Sequence, residues 1–219
     1  MLPNLIIPVL NRYDLLERML ASIDYPIKHL LIIDNGGRLS LSLDQIPQLV
    51  EQVTVLNMPA NLGIAPSWNL GVKSFPFDDV YYFTSNDVVY SPGTLEKLHK
   101  LSTNNRVTIC DDFPFWQTFS VGEEVFEQCG LFDEAIFPMN WEDDEFYWRV
   151  TANGFDVDKV SLPMGHDAHA SFRSDDHYAR RNSETYVSNE MYFKDKQKRN
   201  DLSSGEWSLI RRRANRWEA

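Results

Sequence analysis

Residues 4–37 read NLIIPVLNRYDLLERMLASIDYPIKHLLIIDNGG. The first part, NLIIPVL, is a short apolar run with β-branched residues and a Pro, the pattern of a buried strand. Leu15, Leu16, Met19, Leu20 and Ile23 then recur at the spacing of one apolar helix face. HLLII at 29–33 is a second buried run, and it stops at Asp34-Asn35-Gly36-Gly37, a strong turn signal. Strand, helix, strand is a βαβ unit, and continuous apolar strands belong to a parallel sheet covered on both faces.

The rest of the chain extends this pattern. A short helix is expected over 43–50 and a strand over QVTVL at 52–56. Residues 61–74 read as a loop entering a helix, and VYYFT at 80–84 as a strand ending at Ser85-Asn86-Asp87. Ser91-Pro92 is expected to open a helix, Ser as N-cap and Pro at the first position. A strand follows at 106–110, a short helix at 122–129 stopped by Gly130, a helix at 141–153 ended by Gly154, and a strand at 156–162. Beyond Gly165 the sequence turns polar and basic, with helical pieces expected around 176–195. The expected organisation is an α/β domain over 1–172 and a less regular, partly helical extension over 173–219.

Charge and composition bound the function. The net charge is -11. Residues 1–169 carry 10 basic and 24 acidic side chains, residues 170–219 carry 11 basic and 8 acidic. An acidic body argues against general nucleic-acid binding, which needs basic surface to release counterions. The basic extension reads by default as a solvated helix. The other roles open to Arg211, Arg212, Arg213, Trp207 and Trp217 are contact with an anionic membrane surface or a homodimer contact. No run of about 18 apolar residues predicts a membrane helix, and the start of the chain lacks signal-peptide features. Cys110 and Cys129 read as reduced thiols, so the expected location is the cytoplasm, peripheral to a membrane at most.

In open α/β sheets ligands bind beyond the carboxyl ends of the strands. Those ends carry Asn11 and Arg12, Asp34 and Asn35, and Ser85, Asn86 and Asp87, with His166, Asp167 and His169 after the last strand. No GxGxxG follows the first strand and no GxxxxGK[ST] occurs, which argues against a dinucleotide fold and a P-loop. No GxSxG supports acyl transfer.

Four stretches in order resemble glycosyltransferase family 2, of the GT-A (Rossmann-like) fold. They are IIPVLNR at 6–12, LLIIDNGG at 30–37, NLGIAPSWNLGV at 61–72, and GLFDEAIFPMNWEDDEFYWRVTANG at 130–154. In the third, Asn61, Gly63, Ala65, Asn69 and Gly71 match the family's Asn-x-Gly-x-Ala-x-x-x-Asn-x-Gly pattern. The resemblance implies a mostly parallel central sheet flanked by helices. It also implies transfer of a sugar from a nucleotide-diphosphate sugar to an acceptor hydroxyl, inverting and dependent on Mn²⁺ or Mg²⁺. Asp34 would bond the nucleobase, the turn from Pro8 through Asn11 to Arg12 would line the same pocket, and Asn61, Gly63 and Asn69 would shape the nucleotide side. Ser85-Asn86-Asp87 falls where the family has Asp-x-Asp. Ser replaces the first acid, so Asp87 would carry the metal and Asn86 would orient a sugar hydroxyl. His166 begins a His-x-x-x-x-Ser stretch that departs from the family's glycine-rich form. It is the expected second metal ligand, with His169 in reserve. A pair of Asp and His suits Mn²⁺, which accepts imidazole more readily than Mg²⁺ does.

The family's Glu-Asp falls on Glu142 and Asp143. Asp143 is the first choice for the general base and Glu142 the second, because four adjacent carboxylates raise at least one pKa toward neutrality. Asp144 and Glu145 are expected to be solvent-facing or structural. Trp148 is expected in the core, with stacking on a sugar the alternative for it and for Trp141. Arg149 has two open partners, an acid of its own helix or a diphosphate. The donor class is a UDP-, GDP- or dTDP-sugar. The acceptor is open among glycan, glycolipid, protein and modified nucleobase. Two other readings stand beside this one: a non-catalytic module that binds nucleotide sugars, and a GT-A-like nucleotidyltransferase, although NRYDLLER lacks the basic glycine-rich loop of the latter.

Overall fold

The computed structural model describes residues 1–110, 116–167 and 176–204. Seven strands form the central sheet: β1 (Leu2–Val9), β2 (Ile27–Asp34), β3 (Val50–Asn57), β4 (Val80–Thr84), β6 (Val107–Cys110), β7 (Thr118–Gly122) and β8 (Val157–Val160). Their order is β3-β2-β1-β4-β7-β6-β8. All neighbours are parallel except β7, which runs antiparallel between β4 and β6. A small antiparallel pair, β5 (Val88–Tyr90) with β9 (Met164–His166), sits apart.

Alternation along the strands builds a core on each face. Leu5, Ile7 and Val9 of β1 and Leu30 and Ile32 of β2 point to one side. There they meet Leu16, Met19 and Leu20 of α1 (Tyr13–Ala21) and Leu95 and Leu98 of α3 (Thr94–Leu101). Ile6, Leu31 and Ile33 point to the other side. They meet Ala65, Trp68 and Val72 of α2 (Ile64–Ser74), Phe126 of α4 (Glu123–Cys129) and Phe146 of α5 (Glu142–Ala152). Phe132 and Phe146 sit 4.3 Å apart at the centre of this aromatic layer.

Several elements differ from the sequence reading. The helix expected at 43–50 is only a 3-10 turn at Leu43–Gln45, and β3 begins at Val50. Ser91-Pro92 does not open α3. Gly93, with φ 81°, is the N-cap, and Ser91 instead accepts the Thr94 N–H in a turn. Strands β5, β7 and β9 had no clear signal: they are three or five residues long, and β7 and β9 contain Gly with Ser or His. The helical pieces expected around 176–195 join into a single helix, α6, over Asp176–Arg199. It docks through Phe193, 6% exposed, and Lys196, 1% exposed. His169, Ser171, Trp207, Arg211, Arg212, Arg213 and Trp217 lie outside the described residues. Among the described residues no helix is long and apolar enough to cross a membrane.

Candidate active site

Strands β2, β1 and β4 are adjacent and parallel, so their carboxyl ends share one edge of the sheet. A cleft of about 230 Å³ opens there. Pro8, Asn61, Gly63, Asn86, Asp87, Glu142, Asp143 and His166 all line it. Residues separated by up to the length of the domain therefore meet in one place, as their sequence positions at strand ends implied.

Each wall has a local cause. Asn86 donates its amide to the carbonyls of Asn11 and Arg12, at 3.2 and 3.4 Å, which ties the β4 end to the β1 turn. Arg12 adopts left-handed backbone, φ 56°, and its guanidinium pairs with Asp14. Ser85, in the place of the family's first acid, donates its hydroxyl to Gln117 of the segment entering β7. Gly63 has φ 87°, and a Cβ there would lie 2.8 Å from the Pro138 carbonyl oxygen and 2.9 Å from the Phe137 ring. Glycine lets the α2 turn close against the 137–138 loop, and the Ile64 N–H donates to Pro138 O at 2.8 Å.

Asp87 and His166 meet through the small β5–β9 sheet. Val88 pairs with His166 across it, and the Asp167 N–H donates to the Asp87 carbonyl. Asp87 Oδ1 lies 3.4 Å from His166 Nε2. A hard carboxylate oxygen beside an imidazole nitrogen fits a divalent cation such as Mn²⁺. Among the described residues no group of three His, Cys, Asp or Glu side chains converges to hold one.

The opposite wall is the start of α5. Its acidic first turn suits the positive end of a helix, yet the four carboxylates have separate environments. Asp144 is exposed. Glu145 is fully buried and bonds Arg149 through two bonds of 2.9 Å. Arg149 also donates to the carbonyls of Cys129, Gly130 and Leu131, so it belongs to the fold and not to the cleft. Asp143 is half-buried; burial first, and the charge of Asp144 second, push its carboxyl up to about 6. Glu142 is raised well above the ordinary carboxylate range by burial, and then by the charges of Asp143 and Asp144. Asp143 thus titrates close to neutrality and faces the cleft, which is what a general base needs.

Other expected residues fall outside the lining. Asp34 is fully buried, and its carboxylate accepts from the Tyr13 hydroxyl and the Gly36 and Leu39 N–H groups. It holds the β2 turn, while its neighbour Asn35 lines the cleft. Asn35 bonds the Ser67 hydroxyl and the Leu62 N–H, joining β2 to the start of α2. Asn69 is fully buried, exchanging bonds with the Phe132 backbone and donating to Glu134. Its role is to pin α2 to the loop before α5. Asn11 and Arg12 contribute backbone carbonyls to Asn86, as described above. Trp116, Tyr178 and Tyr186 line the cleft without having been singled out. No periodicity or motif marks them; only tertiary packing brings them there.

The family model described as Glycosyl transferase family 2 matches residues 4–177. The chain belongs to this family. Its fold is GT-A-like, and solved structures agree. The mannosyltransferase PcManGT from Pyrobaculum calidifontis, in complex with GDP-Man and Mn²⁺, superposes with a TM-score of 0.57 at 16% identity. That match covers 72% of this chain and 54% of the other. TarS 1–349 of S. aureus in complex with UDP gives a TM-score of 0.50 at 14% identity, covering 74% of this chain and 59% of the other. This family 2 chain therefore spans little more than half the length of these neighbours. No curated protein matches it. Helix α6 starts at the very end of the matched segment, so Tyr178 and Tyr186 lie just beyond it.

Proposed function

We propose that this glycosyltransferase-family chain moves a sugar from a nucleotide-diphosphate sugar to an acceptor hydroxyl, with inversion, aided by a divalent cation. The observation that carries the reading is the convergence of Asp143 and the Asp87–His166 pair on one cleft. Asp143, with its carboxyl raised to about 6, takes the proton of the attacking hydroxyl. Glu142 is the more deeply buried of the two, 6% exposed, which leaves Asp143 as the stronger candidate. Pro8, Asn35, Asn61 and Gly63 form the side that receives the nucleotide, and Asn86 faces the sugar. Asp87 and His166 would hold the cation, with diphosphate oxygens and water completing its shell. When bound, the cation supplies positive charge for the departing diphosphate. The neighbours' complexes with GDP-Man and Mn²⁺ and with UDP support this donor class.

The test is a thermal-shift panel of UDP, GDP and dTDP and their sugars, each with and without Mn²⁺, followed by an assay of nucleoside diphosphate release. A ligand bound only by the native state raises the melting temperature by mass action. A Mn²⁺-dependent rise with one nucleotide, together with release from its sugar, is expected. Binding without release would instead support a non-catalytic nucleotide-sugar-binding module.

A further inference from the structure

Helix α6 does more than close the fold. Asn189 donates its amide to the carbonyls of Phe137, Met139 and Asn140, at 3.2, 3.0 and 3.3 Å. The Asn140 amide in turn donates to Asn182 Oδ1 at 3.1 Å. These bonds grip a turn in which Asn140 and Trp141 both have left-handed backbone, φ 73° and 79°. Two consecutive non-glycine residues in that region are uncommon, and the bulky Trp141 persists there only because its neighbours impose it. The turn sets Trp141 in the cleft wall, where its ring lies 5.4 Å from that of Tyr186. Tyr178, whose hydroxyl donates to Met139 Sδ, extends the same wall.

The wall has three properties. It is aromatic and partly open, Tyr186 being 42% exposed. Trp141 Nε1 is buried and donates to nothing among the described residues. Glu142, 6% exposed, has a buried Oε2 with no partner among them. A buried polar atom left unbonded is costly unless a ligand completes it. A pyranose ring has an apolar C–H face for an aromatic wall and hydroxyls for a waiting indole N–H and carboxyl.

We propose that Trp141, Tyr178 and Tyr186 form an acceptor subsite for a saccharide ring, whose hydroxyls bond Trp141 Nε1 and Glu142 Oε2. This rests on the transfer reading above, because it seats the acceptor beside Asp143. It narrows the acceptor from any hydroxyl to a glycan, and it makes α6 the element that selects it.

The experiment is saturation-transfer NMR on the full chain with the methyl glycosides of glucose, galactose, mannose and N-acetylglucosamine, each alone and with UDP or GDP plus Mn²⁺. At least one glycoside is expected to receive saturation at its ring protons. Tyr186→Ala should weaken its affinity about tenfold, the scale of one lost aromatic contact. Tyr186→Phe, which keeps the ring, and Val187→Ala, on the adjacent exposed face, should bind as the parent does. Absence of binding by every glycoside, or equal binding by Tyr186→Ala, would overturn the subsite. Failure of the transfer reading shows separately, as no nucleotide-dependent rise in melting temperature in the same samples.

Discussion

Asp87 Oδ1 and His166 Nε2 lie 3.4 Å apart, although the two residues bracket almost half the domain in sequence. The β5–β9 pairing aligns them, and both side chains are largely shielded, 14% and 5% exposed. Asp87→Ala should therefore weaken Mn²⁺-dependent nucleoside diphosphate binding by about tenfold or more, the scale of one charged contact. Calorimetric titration with and without Mn²⁺ reads this directly. Unchanged affinity would remove Asp87 as a ligand.

Asp143→Asn should lower turnover by between about 10² and 10⁴-fold while keeping nucleotide binding. The parent's kcat/KM should fall as pH drops through about 6, because the base works only when deprotonated. Asp144→Asn removes a charge that helps raise that value, so its acid limb should move to lower pH. A pH–rate profile of the two chains checks both statements.

The same carboxyl carries a stability consequence. A group whose pKa is raised by folding binds its proton more tightly folded than unfolded. Its contribution to stability therefore falls as pH rises from its ordinary 3.8 to about 6, and levels off above. Asp143→Asn should raise the unfolding free energy at pH 7 by up to about 3 kcal/mol. Urea unfolding at pH 5 and pH 7 tests this: the gain should be smaller at the lower pH.

Lys196 is 1% exposed and bonds Asp133, Glu145 at 2.8 Å, and the Ser203 carbonyl. It joins α6 to α5 and to the loop before it. Lys196→Ala leaves the buried Asp133 carboxylate with only the Tyr192 hydroxyl on that oxygen. The expected loss is about 3 kcal/mol, since one partner of a buried pair is stranded. Chemical denaturation measures it.

Gly63→Ala combines left-handed backbone with contacts at 2.8 and 2.9 Å to Pro138 O and the Phe137 ring. A loss of about 1–3 kcal/mol is expected. The 137–138 loop must retreat, so nucleotide affinity should fall too, as a thermal-shift titration would show.

The strands at 29–33 and 80–84 were legible because a parallel sheet demands uninterrupted apolar runs, and a polar residue ends each run sharply. Helix α5 was legible from its acidic start and Gly154 stop. Strand β7 was not: it is enclosed by aromatic neighbours, and its five residues TFSVG carry no period of their own. Helix α6 has a polar surface throughout much of its length, so its buried residues Asn182, Asn189, Phe193 and Lys196 did not read as a face.

By itself the sequence determined the βαβ frame, the edge where polar strand ends gather, and the acidic turn from which Asp143 comes. Those follow from local propensity and hydrophobic period, which each short segment carries alone. Only the tertiary structure decided which polar residues face the cleft. Asp34 and Asn69 are consumed by backbone and side-chain partners within the fold, whereas Asn35, Trp116, Tyr178 and Tyr186 are delivered to the cleft. A side chain's partners are set by residues distant in the chain, and the four adjacent acids part company because burial and charge differ from one side of α5 to the other.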